Sequence, residues 1–185
     1  MPRSRMFDTF REAPAFGPFD EYPVLSPGVD PQLHLSRNDR PQPFYLICGK
    51  DSVLVQMSGG ATVHFKLSDV LRYRLRTGDF VYIPAGTPHC IVPEGIALNY
   101  RYKAERAGLE GVAWYCPRCD AEIHRDVWDT EVELPQEGYA RASAAFNRDP
   151  ALRACPACGV EHPPLDLHGF RWTDIARELR VPRER

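Results

Sequence analysis

The chain has 185 residues, 43% of them hydrophobic and 11% aromatic, which suffices for one core-bearing domain and an appendage. A formal net charge of −2 excludes a broad electrostatic draw on nucleic acid. No stretch approaches the ~18 apolar residues of a membrane span, and 18 prolines against 13 glycines favour short strands and turns over long helices.

Residues 1–30 are rich in Pro, Phe and acidic side chains and have little periodicity. They read as an N-terminal arm that packs on something else, a partner subunit included, and that can add strands to the barrel. The arm lacks the run of about 7–15 apolar residues of a secretory signal, so a cytoplasmic protein is expected. In a reducing compartment, 6 cysteines point to metal binding or reactivity rather than disulfides.

Residues 31–103 read as all-β. Phe44–Cys48 and Val53–Met57 are separated by Gly49-Lys50-Asp51-Ser52, a hairpin signal, and Ser58-Gly59-Gly60 is the next turn. In Ala61–Leu67, Val63, Phe65 and Leu67 alternate with Thr62, His64 and Lys66, which puts His64 on a solvated face. Leu71, Tyr73 and Leu75 alternate with Arg72, Arg74 and Arg76, a second solvated face. Many short antiparallel strands at close spacing imply a sandwich or small barrel. Residues 104–111 form a polar linker, 112–165 a cysteine module, and 166–185 a C-terminal extension with a helix from Thr173 that carries Ile175, Ala176 and Leu179 on one face.

The cysteine module holds Cys116-Pro-Arg-Cys119 and Cys155-Pro-Ala-Cys158-Gly159. Each Cys-x-x-Cys loop aims two thiolates at one centre, and two such loops complete a tetrahedron with metal–sulfur bonds of ~2.3 Å for zinc. Either zinc or iron suits such a site. Four sulfurs leave no open coordination position, so the role is structural, or electron transfer if the ion is iron. The stretch between the pairs is longer than usual, and Val127, Trp128, Val132 and Leu134 can give it a small core. His124 and His162 flank the knuckle and read as groups that pack or hydrogen-bond near it rather than ligate. Cys48 and Cys90 read as small buried apolar groups.

Gly78-Asp-Phe-Val-Tyr-Ile-Pro84-Ala-Gly86-Thr-Pro-His89 fits G-x5-P-x-G-x2-H, the second motif of cupin barrels. It directs His89 to the barrel mouth, where a neutral imidazole commonly ligates a divalent metal. The first cupin motif is incomplete. Gly28 and His34 are in place, but Ser36 stands where the second histidine belongs and Gln42 where the glutamate belongs. The fold expected is all-β: a cupin-type β-barrel (jelly roll) with a small metal knuckle and a short terminal helix.

With Gly111-Val-Ala-Trp114-Tyr115-Cys116-Pro-Arg-Cys119, His124-Arg125 and Cys155-Pro-Ala-Cys158-Gly-Val-Glu-His162-Pro163, the chain resembles the 3-hydroxyanthranilate 3,4-dioxygenase family over about residues 31–165. The resemblance implies a cupin followed by a rubredoxin-like four-cysteine module. It also implies ferrous iron, O2, a small aromatic acid as substrate, and a homodimer. Under it, the family's ligand histidines fall on Ser36 and His89 and its glutamate on Gln42. The substrate arginines fall on Gln32 and Pro93, and the active-site glutamate on or next to Arg101. His34, Gln42 and His89 are then the candidates for a rearranged second metal site that takes Fe(II), and His34 and His89 for proton transfer. Arg101 and Gln42 are the candidates for substrate binding, Arg101 by clamping a carboxylate. Three functions stand as expectations: a diverged enzyme acting on a small aromatic or amino-acid-derived acid, a non-catalytic ligand- or partner-binding cupin, and an intact ring-cleaving dioxygenase.

Overall fold

The computed structural model describes residues 6–181. Two antiparallel sheets face each other. The first has strand order β1-β2-β9-β4-β7, built from Tyr22–Pro23, Gln32–Asn38, Ala97–Lys103, Ser52–Ser58 and Phe80–Ile83. The second runs β11-β10-β3-β8-β5-β6, from Glu122–Asp129, Leu109–Tyr115, Tyr45–Cys48, His89–Pro93, Ala61–Phe65 and Arg72–Leu75. The expected all-β architecture is present.

The expected hairpin at Gly49–Ser52 is not. β3 belongs to one sheet and β4 to the other, so this turn carries the chain across the sandwich. Gly49 approaches β10 so closely that a Cβ there would lie 2.4 Å from the Leu109 carbonyl oxygen, whose partner is the Gly49 N–H. The glycine is needed for this contact with a strand of the second sheet.

Alternation places the core. Leu46, Leu54, Val63, Phe65, Ile83 and Ile91 are buried between the sheets, together with Trp114 and Phe44. Leu67 leaves this pattern: its strand ends at Phe65, two residues before it, and it lies at φ +57 and is 80% exposed. Arg72, Arg74 and Arg76 are exposed as expected, with Arg74 bonded to Glu94, and His64 is half-buried. A second core lies on the outer face of the first sheet, where Leu35 and Tyr100 meet Phe16, Tyr22 and Val24 from the arm and Ile175 from the last helix. The described part of the arm therefore packs on its own chain, and β1 pairs with β2.

Among the described residues, three α-helices complete the fold: α1 (Thr9–Glu12), α2 (Pro135–Arg148) and α3 (Trp172–Arg180). The cysteine spacing gives no hint of α2. Pro135 opens it, and the Glu137 carboxylate accepts the Leu134 N–H at 2.9 Å, which satisfies an end-of-helix donor. Its buried face, Tyr139, Ala142, Ser143 and Phe146, follows helical spacing onto Trp114, Trp128 and Trp172. α3 begins at Trp172, one residue before the expected Thr173, and buries Ile175 and Ala176.

Candidate functional site: a cysteine cage and a self-filled barrel

Cys116 follows directly on β10, and Cys155 follows the short turn after α2. The two knuckles repeat one backbone pattern. Cys116 N–H donates to the Ala121 carbonyl at 2.8 Å and Cys155 N–H to Val160 at 2.9 Å. The residue after each second cysteine is left-handed, Asp120 at φ +64 and Gly159 at φ +73. Aspartate tolerates this conformation better than most non-glycine residues. The four sulfurs lie within 4.8 Å of one another, with Cys116–Cys158 and Cys119–Cys155 both at 3.5 Å. A tetrahedron with metal–sulfur bonds of ~2.3 Å has edges of about 3.8 Å, while a disulfide needs ~2.05 Å. The quartet therefore fits one ion and no S–S bond, and it is the one group of His, Cys, Asp and Glu side chains that could hold a metal among the described residues.

The knuckle is joined to the barrel. Lys66 pairs with Asp120 and lies over the rings of Tyr45 and Tyr115, at 5.3 and 5.0 Å from their centroids. His124 stacks on Trp114 and His162 meets Phe146 edge-on, which are the packing roles expected of them.

Inside the barrel, β2 and β9 turn polar side chains inward. Ser36 sits opposite Asn99 and His34 opposite Arg101. The backbone between Gly17 and Glu21 enters beside them. Phe19 and Glu21 hold left-handed conformations at φ +51 and +45, which non-glycine residues adopt only when their surroundings enforce it. The constraints are visible. Phe19 N–H donates to the Asn38 side chain, Glu21 N–H to Ser36 Oγ, and Trp172 Nε1 to the Phe19 carbonyl, all at 2.8–2.9 Å. Gln136 Nε2 donates to the carbonyls of Asp20 and Glu21, and Arg171 pairs with the Asp20 carboxylate. Asn38, Asn99 and Gln56 continue the line as a chain of side-chain amides at 2.9 and 2.6 Å.

This entry delivers the Glu21 carboxylate to Arg101. The guanidinium Nε stands 3.1 and 3.2 Å from its two oxygens, and Nη1 stands 2.8 Å from His89 Nε2. Arginine has no lone pair to offer, so Nε2 must accept. His89 then carries its proton on Nδ1, which faces the Thr87 carbonyl at 3.1 Å. His89 is wholly buried. Burial first, and the Arg101 charge second, hold its imidazole down to about 3, so the ring is neutral. Burial alone would raise Glu21, but Arg101 and Lys103 outweigh it and the net direction is down. A second ion pair, Lys103 with Glu110, is buried beside the first.

Of the donors expected at a barrel metal, His89 and Gln42 are engaged within the protein and His34 is not, while Ser36, at the place of the missing histidine, is also bonded. His89 Nε2 accepts from Arg101, Ser36 Oγ accepts from Glu21 N–H, and Gln42 Oε1 accepts the Ile91 N–H at 3.1 Å. His34 keeps a free Nδ1 and is likewise held down to about 3, by burial first and then by Lys103. Arg101 lies in the interior, as its strand face allowed, but it is already bound to a carboxylate of its own chain. Glu21 is the residue that sequence reasoning missed. Nothing periodic marks it, since it comes from an irregular arm. Cys48 and Cys90 are buried thiols, raised by burial to about 11 and about 12, and unreactive in that state.

No family model matches the chain. It is 33% identical over 92 residues to the 3-hydroxyanthranilate 3,4-dioxygenase of Brucella anthropi, which covers 48% of this chain and 50% of the relative. It is 32% identical over 91 residues to the enzyme of that name from Bacillus cereus, covering 46% and 48%. The chain thus spans about half the length of the curated relatives it matches. Among solved structures, the hydroquinone 1,2-dioxygenase of Sphingomonas sp. TTNP3 superposes with a TM-score of 0.47 at 16% identity, over 52% of this chain and 72% of that one. A cupin-2 domain protein of Shewanella frigidimarina superposes at 0.46 and 15%, over 54% and 94%. Over about half its length the chain is thus similar in sequence to 3-hydroxyanthranilate 3,4-dioxygenases, and its architecture is a sandwich of two antiparallel sheets.

Proposed function

We propose that this protein is a non-catalytic, ligand-binding cupin in which a guanidinium occupies the place of a barrel metal, while the only resident ion is structural and sits in the cysteine cage. The observation that carries this reading is the 2.8 Å contact of Arg101 with His89 Nε2, backed by Glu21. A ferrous centre of the two-histidine, one-carboxylate kind needs free donor lone pairs and an anionic oxygen. Here the histidine's lone pair is spent on a cation, and the nearest carboxylate neutralises that same cation. A metal entering this space would meet a guanidinium already paired with its carboxylate instead of free ligands. The enzyme readings, diverged or intact, both need iron or an open acid clamp at these positions. Zinc or iron suits the cage equally by donor type.

Metal analysis of the purified chain tests the reading. The expected result is one metal ion per chain, unchanged by His89→Ala, and no oxygen uptake with 3-hydroxyanthranilate when Fe(II) is supplied. A second ion that His89→Ala removes, or oxygen uptake, would overturn it.

A further inference from the structure

The two cysteine knuckles share a backbone pattern but differ at one equivalent residue. The position after the second cysteine is left-handed in both. The second knuckle fills it with Gly159 at φ +73, the residue type that adopts this conformation without steric cost. The first fills it with Asp120 at φ +64, where a side chain costs backbone energy. What aspartate adds over glycine here is a carboxylate, and that carboxylate pairs with the ammonium of Lys66.

Lys66 is held on several sides. Its side chain is only 16% exposed. Its backbone N–H donates to the Pro88 carbonyl at 2.9 Å, next to His89. Its ammonium lies 5.3 and 5.0 Å from the ring centroids of Tyr45 and Tyr115, which meet edge-on at 4.9 Å. Tyr45 begins β3, and Tyr115 ends β10 immediately before Cys116. The side chain therefore touches the residue before Cys116, the residue after Cys119 and a strand of the sandwich. A freely exposed lysine–aspartate pair is worth little, because ordering two long side chains offsets the attraction. Here the rings have already ordered the lysine, and ring faces attract an ammonium.

We propose that Lys66 is a positioning residue for the cysteine cage: by bracketing the Cys116–Cys119 loop it holds two of the four thiolates in place and slows loss of the ion. The reason is preorganisation. A loop already fixed in its metal-binding shape loses less freedom when it closes on an ion, and it opens less often. The charge acts in the same direction, since four thiolates outweigh a divalent ion and a neighbouring cation favours the loaded form. This inference rests on the cage ion of the reading above and not on the state of the barrel.

The test uses the full chain loaded with cobalt(II). Appearance of the thiolate-to-cobalt charge-transfer band tests the cage, and decay of that band under excess EDTA tests Lys66. Lys66→Met keeps the aliphatic stem, removes the charge and should speed the decay about tenfold. Lys66→Arg should restore most of the original rate. Asp120→Gly separates a tether from a backbone effect. Glycine relieves the left-handed residue, so a knuckle held by its backbone alone would release cobalt no faster than the unaltered chain. A tether predicts release about as fast as from Lys66→Met, and Lys66→Met should add little in the Asp120→Gly background. Should Lys66→Met fail to fold, Asp120→Asn leaves the lysine and its ring contacts in place and should speed release likewise. Unchanged release from Lys66→Met, release from Asp120→Gly no faster than from the unaltered chain, or release from Lys66→Arg as fast as from Lys66→Met would each overturn the proposal. Absence of the charge-transfer band from the unaltered chain would overturn the cage, and the proposal with it.

Discussion

Arg101 shows how a single side chain can redirect a barrel. Its guanidinium is 1% exposed and is held between a carboxylate and a neutral imidazole. Removing one member of such a buried pair strands the other, so Arg101→Met is expected to cost about 3–5 kcal/mol. The double variant Glu21→Gln/Arg101→Met should cost less than the sum of the singles, read by urea denaturation. Additive losses would mean that the two groups do not interact. The histidines add a pH dependence. His89 is held at about 3, against an ordinary 6.5, so below pH 6.5 the unfolded chain takes up a proton that the folded chain refuses. Stability is therefore lost as pH falls from about 6.5 towards 3, by about 2 kcal/mol for one such histidine between pH 7 and pH 5. His34 and the lowered Glu21 act in the same direction. Denaturation curves at pH 7 and pH 5 should show the drop, and His89→Gln should lessen it. The sequence could place Arg101 on a face with Asn99, because alternation is local. It could not name Glu21 as the partner, because that contact joins residues 80 positions apart through a segment without period.

At the scale of elements, α2 went unread although its signals are present, and the expected hairpin proved to be a crossing between sheets. Pro135, Glu137 and the spacing of Tyr139, Ala142 and Phe146 are start and face signals present in the sequence, overshadowed by the cysteines on either side. Gly49–Ser52 carries the composition of a hairpin turn, but turn residues report a reversal and not which sheet receives the next strand. α2 also allows a test in which two effects oppose. Gly138 lies in its interior, and alanine there gains about 1 kcal/mol of helix propensity. A Cβ at this position would stand 2.2 Å from Cε2 of Trp128, a ring buried against Tyr139. Overpacking of this kind costs about 1–3 kcal/mol, so Gly138→Ala is expected to lower the melting temperature. A rise would show that Trp128 has room to move.

For the whole molecule, the cysteine quartet was the most legible feature, because four thiols in matched pairs admit few other readings, and their sulfurs do converge. The barrel was legible as a fold from the Gly78–His89 motif, while its contents depended on the arm. Binding of a structural ion to the folded chain alone is folding free energy, so a strong chelator should lower the melting temperature of the entire protein. Trp114 stacks 4.2 Å from Phe146 beside the knuckle, and its fluorescence should report the same loss. A two-step melt with an unchanged upper transition would mean that the module stands apart from the barrel. A single shifted transition is expected, because Tyr115 and Cys116 are consecutive residues at the end of a strand bonded to both β3 and β11. An ion held by the four sulfurs would act as a rivet through the wall of the sandwich. Extracting it would open a seam along that wall, and the aromatic residues behind it would be the first to meet water.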